Sequence, residues 1–98
     1  NIYPEEIEDK LNSMAMVNES IVIQRDDKLV ALVHPDMEEV NNLGFTDEDL
    51  ENIMEQNRKE LNLQMPSFAK VSLIKLHNQE FEETAKKSIK RYLYQNAI

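Results

Sequence analysis

Four positive charges, Lys86, Lys87, Lys90 and Arg91, fall within six residues of a chain whose formal net charge is −8. Cations gathered this densely do one of two things. They form a solvated helix face, or they neutralise a phosphate or carboxylate whose oxygens gain charge as bonds change. Phe81 and Thr84 precede the cluster and mark a loop-to-helix junction, where groups are readily presented to an anion.

Other residues offer less chemistry. His34 and His77 have no helical or strand spacing to each other, and a metal site built on them would need carboxylates for its remaining ligands. Both read as surface histidines. Asp26-Asp27 and Asp47-Glu48-Asp49 lack the glycine and ligand spacing of a calcium loop and read as turn and cap acids. Asn18-Glu19-Ser20 has the form of a glycosylation sequon without a secretion signal, and no nucleophile-elbow context surrounds Ser20. The absence of cysteine excludes disulfides, thiolate chemistry and cysteine-ligated zinc. With Gly44 the single glycine, a glycine-rich phosphate cradle cannot be built from these residues. The scattered methionines Met14, Met16, Met37, Met54 and Met65 read as core or rim packing.

The elements that must position these groups are legible. Pro4 suits the first position of a helix, Glu5 and Glu6 complement its dipole, and Ile7, Leu11 and Met14 form an inward stripe, which predicts a helix over 4–12. Two β-rich runs, 20–25 and 28–33, flank Asp26-Asp27 and predict a hairpin, and because Asp-Asp is weak turn chemistry a loop longer than these two residues is left open. The runs are continuous rather than alternating, which implies a sheet covered on both faces. Thr46 and Asp49 make a capping box, Phe45 and Leu50 occupy staple positions, and Leu50, Ile53, Met54 and Leu61 line one face of a helix over 47–62, stopped before Pro66. A strand over 71–76, a polar loop from His77 to Glu83 and a helix over 86–95 complete the order α-β-β-α-β-α. The fold class is α+β: a small three-stranded mixed sheet containing a β-hairpin, with helices on both faces.

Ninety-eight residues at 41% hydrophobic content suit one globular domain, 1–98. Residues 1–60 carry sixteen acids and five bases, and residues 61–98 three acids and six bases. The overall acidity disfavours nucleic acid as a partner. No apolar run is long enough for a membrane span and no signal-peptide pattern opens the chain, so the expected compartment is the cytoplasm. The first residues lack a lead-in, which suggests a piece of a longer protein, while the stretch from Tyr94 to Ile98 reads as a terminus.

Two stretches resemble the adenylate-forming (AMP-binding) superfamily, which includes acyl-CoA synthetases, luciferases and the adenylation domains of peptide synthetases. Ile2, Pro4, Glu6, Ile7 and Glu8 match the Ile-x-Pro-x-Glu-Ile-Glu ending of that family's hinge-region motif. Thr84-Ala85-Lys86-Lys87-Ser88-Ile89-Lys90-Arg91 resembles its C-terminal Thr-Pro-x-Gly-Lys-Ile-x-Arg pattern. The order of elements between them is similar to the family's small C-terminal subdomain, and Lys90-Arg91-Tyr92-Leu93-Tyr94 looks most like bacterial long-chain fatty acyl-CoA synthetases.

The resemblance implies a mobile lid that follows a larger N-terminal adenylation domain of the same chain. That domain would hold ATP and a small-molecule carboxylic acid, with Mg and coenzyme A serving the full-length enzyme and no cofactor bound by this piece alone. It further implies two steps: formation of an acyl-adenylate with loss of pyrophosphate, then displacement of AMP by a thiol after the lid rotates. The family's lysine bridges the reacting oxygens in the first step. Alignment on Thr84, Ile89 and Arg91 places Ser88 at that lysine's position, and serine supplies no positive charge. Lys87 is therefore the expected catalytic residue, by a one-residue slip that Ala85 in place of the family proline would permit, and Lys86 is second. Few large exposed apolar residues are expected on a surface that must slide against a partner. The alternatives are a non-catalytic acidic module that docks through its basic C-terminal helix, and a peptide-synthetase domain that hands its acyl group to a carrier-protein thiol.

Overall fold

In the computed structural model, which describes residues 3–82 and 93–94, helix α1 (Pro4–Asn12) opens the fold. Pro4 occupies its first turn together with Glu5 and Glu6, and Ile7 and Leu11 point into the core. Strands β1 (Val17–Arg25) and β2 (Lys28–Pro35) follow as an antiparallel hairpin. Arg25 pairs with Lys28, so the loop is two residues long and no longer. Asp26 and Asp27 have φ of 51° and 67°, the positive values that a type I′ turn requires at both central positions.

Helix α2 (Met37–Leu43) was not expected. The Asp36 side chain caps it by accepting from Glu39 N–H at 3.2 Å, and Gly44 ends it in the left-handed region at φ 71°. It buries one side chain, Val40, and so shows no apolar stripe in the sequence. Helix α3 (Asp47–Leu63) carries the expected capping box: Thr46 Oγ1 accepts from Asp49 N–H at 3.1 Å, and Asp49 Oδ2 accepts from Thr46 N–H at 2.9 Å. A 3₁₀ turn, Ser67–Ala69, leads into β3 (Val71–Leu76).

The strand order is β1-β2-β3, with β2 and β3 parallel, so the sheet is mixed and β2 is central. Every residue from Val30 to Pro35 is buried, as the continuous apolar run implied. On the first face, Ile7 and Leu11 of α1 and Leu61 of α3 pack with Val22, Ala31 and Val71. Val17, Val33 and Met54 extend that core. A register shift between Val17 and Glu19 keeps Val17 there. On the second face, Ile21, Ile23 and Leu32 are covered by Phe81 and Tyr94. The helix expected at 86–95 falls almost wholly outside the described residues.

Polar side chains fasten the helices to the sheet. Glu8 Oε2 accepts from Val22 N–H at 2.7 Å, and Ser20 Oγ donates to Asn12 Oδ1 at 2.7 Å. Asn62 brackets the start of β3, its Oδ1 accepting from Val71 N–H at 2.8 Å and its Nδ2 donating to Val71 O at 2.9 Å. Buried Asn57 donates to Ala15 O at 2.9 Å. The expectation of few exposed apolar residues fails: Leu63 is 88% and Phe68 75% exposed. A domain of this size has too little interior to hide every apolar side chain.

Candidate functional site

Lys86 and Lys87, with Thr84, Ser88 and Arg91, lie outside the described residues. The structure does describe what flanks that stretch in sequence. Phe81 and Glu82 come before it and Tyr94 after it, and these meet on the second face of the sheet. Tyr94 Oη accepts from Glu82 N–H at 2.8 Å. The Phe81 and Tyr94 rings meet edge to face, with centroids 5.0 Å apart. Phe81 N–H donates to a Glu19 carboxylate oxygen at 3.3 Å, which ties the segment to β1.

The two histidines complete this cluster, and here the surface reading is corrected. His34 is only 6% exposed and His77 is half-buried. Parallel pairing of β2 with β3 sets Val33 beside Leu76, so the residues that follow them become neighbours. His34 Nδ1 lies 3.1 Å from His77 O, and because a carbonyl only accepts, Nδ1 carries the proton. His77 N–H donates to Val33 O at 2.8 Å. The His77 ring stacks on Phe81 at 5.0 Å with 9° between planes and meets Tyr94 edge-on at 5.5 Å. Burial holds the His77 pKa below the usual histidine range, and electrostatic interaction with His34 and Lys75 pushes the same way. Half of the signal that joins the histidines was in the sequence, since each closes an apolar run. The pairing that sets those runs side by side is seen only in the fold.

Three described residues of the first motif are structural parts of this domain. Pro4 starts α1, Ile7 is core, and buried Glu8 binds the β1 backbone. Elsewhere a groove between α3 and β3 is lined by Glu51, Met54, Glu55 and Leu73 through Leu76. The Arg58 guanidinium grips Glu55, holds that carboxyl below its usual range and has its own pKa raised in return. Among the described residues no group of three histidine or carboxylate side chains could hold a metal ion. No helix among them is long and apolar enough to cross a membrane.

A family model described as the AMP-binding enzyme C-terminal domain matches residues 1–97. The chain belongs to that family. The AMP-binding C-terminal domain seen here has close counterparts among solved structures. The adenylation domain of a carboxylate reductase from Mycobacterium chelonae superposes with a TM-score of 0.81 at 11% identity, covering 98% of this chain and 16% of that one. The A-PCP didomain of a carboxylic acid reductase from Segniliparus rugosus, solved in complex with AMP, gives 0.76 at 12%, covering 98% and 14%. An acyl-CoA synthetase from Brucella canis gives 0.70 at 23%, covering 98% and 17%. The chain thus spans about a sixth of the length of these neighbours. No curated protein matches it in sequence.

Proposed function

We propose that this domain is the mobile C-terminal lid of a cytoplasmic AMP-forming acyl-CoA ligase, most similar to those acting on long-chain fatty acids. The observation that carries this reading is the family match over residues 1–97, on a chain that keeps both the proline-acid motif and the basic stretch. An N-terminal adenylation domain of the same chain would hold ATP and the carboxylic acid. In the first step a carboxylate oxygen attacks the α-phosphorus of ATP and pyrophosphate leaves. In the second, the thiol of coenzyme A displaces AMP.

The role of this domain in the first step is electrostatic. Lys87, with Lys86 second, supplies an ammonium group to the oxygens that share the shifting negative charge. A cation stabilises that transition state more than the ground state, which is what accelerates a step. Rotation of the lid then withdraws the lysine and admits the thiol.

The test uses the full-length enzyme. ATP–pyrophosphate exchange is screened across carboxylic acids, and thioester formation is followed from supplied acyl-adenylate with coenzyme A or a carrier-protein thiol. Lys87→Ala is expected to slow acyl-adenylate formation at least ~tenfold, the scale of one lost electrostatic contact, and to slow thioester formation less. An unchanged exchange rate removes Lys87 from the role. Failure of every acid to support exchange removes the ligase reading.

A further inference from the structure

The 3₁₀ turn Ser67–Ala69 sends two neighbouring side chains in opposite directions. Ala69 N–H donates to Pro66 O at 2.9 Å, which closes the turn. Ala69 is 1% exposed and joins the interior, whereas Phe68 is 75% exposed. Register places this turn at one end of the sheet. Leu29 pairs with Gln24 on one side and with Val71, two residues after Ala69, on the other. The start of α1 reaches the same place. Pro4, Ile7, Leu29, Phe68 and Ala69 line a groove of about 400 Å³, and Asp27 is the one charged residue in its lining.

The floor of this groove is core. Ile7 is 1% exposed, and Leu29 packs against the cluster that holds Ile7, Leu11 and Val22. An apolar side chain set into the groove would extend that cluster, and the Phe68 ring would lie against it. Aromatic rings beside apolar pockets are the commonest anchors of protein interfaces, because they bury a large area with few rotatable bonds. Tyr3, next to Pro4 in the chain, is a second exposed ring, at 63%.

The place of the groove in the chain points to its occupant. This domain belongs to a family of C-terminal domains and spans about a sixth of the length of its solved neighbours. On the reading above, an adenylation domain precedes it in the same chain and joins it through Tyr3 and Pro4, at the edge of the groove. A surface tethered by so short a path meets the groove at high effective concentration, so a small apolar contact can hold it. A second copy has no such tether, and two chains of net charge −8 repel each other.

We propose that this groove is a docking site for the adenylation domain of the same chain, with Phe68 as the anchor that packs on an apolar side chain of that domain. The identity of the partner rests on the reading above.

The experiment takes the full-length chain with Phe68 replaced by the photo-cross-linker p-benzoylphenylalanine. A second sample carries the same replacement at Leu63, which is 88% exposed and does not line the groove. After irradiation, mass spectrometry of digested monomers and of any linked dimers locates the coupled residues. Position 68 is expected to couple within one chain to residues that precede Asn1, with a yield at least about fivefold above that at position 63, because coupling requires packed contact. Coupling between two chains would assign the groove to a second copy. Coupling confined to residues 1–98, or a yield at 68 no higher than at 63, would leave the groove without that partner. Each of these results overturns the proposal. ATP–pyrophosphate exchange on the parent chain separates the two claims. Coupling to preceding residues in a chain that supports exchange with no acid keeps the docking site and removes the ligase reading. Exchange without such coupling removes the docking site and keeps the ligase reading.

Discussion

Glu8 shows how a motif residue can be read correctly and understood only in three dimensions. Its carboxylate reaches from α1 to the Val22 amide, and Ser20 and Asn12 join the same two elements beside it. His77 is the residue with a pH consequence. Burial disfavours the charged form of its imidazole in the native state, and His34 from β2 and Lys75 from β3 oppose that charge too. The native pKa lies below the unfolded value, so the unfolded chain takes up the proton first. The contribution to stability is complete above the ordinary histidine range, near 6.5, and is lost as pH falls from there through the lowered native value. His77→Phe keeps a ring in the stack and removes the titration. The drop in denaturant midpoint between about pH 7.5 and about pH 5.5 should be smaller in the variant than in the parent. An equal drop in both would assign the acid sensitivity elsewhere.

At the scale of elements, the β1–β2 turn contains a local conflict. Asp26 and Asp27 both adopt positive φ, which side chains with a Cβ resist, and they set two like charges side by side. Asn-Gly is the preferred pair for this turn. Replacing Asp26-Asp27 with Asn-Gly is expected to stabilise the domain by roughly 1 kcal/mol, read as a higher denaturant midpoint with an unchanged slope. A midpoint equal to the parent's would show that the present turn is unstrained. The hairpin was legible because two apolar runs and two acids are local signals. Its two-residue length was read from the Asp26-Asp27 break but not fixed by it, because Asp-Asp is weak turn chemistry. Helix α2 escaped notice for a related reason. Asp36 and Gly44 cap it well, but Val40 is its one buried side chain and gives no periodicity.

Across the whole molecule, limited interior volume decides which apolar residues matter. Leu61 and Leu63 sit two residues apart on α3, one fully buried and the other 88% exposed. Leu61→Ala should cost about 2–5 kcal/mol, and Leu63→Ala should stay within about 0.5 kcal/mol, both by denaturant unfolding. Comparable effects at the two positions would mean that Leu63 is covered in the protein under test. The helical period had already placed Leu61 inward, while Leu63 lay beyond the helix predicted over 47–62. The exposed Leu63 and Phe68 were not anticipated, since low aromatic content says nothing about where each apolar residue ends up.

The sequence by itself determined the helices α1 and α3, the hairpin and β3, because caps, turns and hydrophobic period act over a few residues. It also carried both family motifs, and with them the expectation of an α+β domain of an adenylate-forming enzyme. A mixed sheet was expected from the sequence; tertiary structure alone decided that β3 lies against β2 and in which register, a pairing between segments far apart in the chain. That pairing brings His34 to His77 and builds the aromatic seat for Phe81 and Tyr94. Strand register is a property of two distant segments at once, and no local pattern in either one contains it.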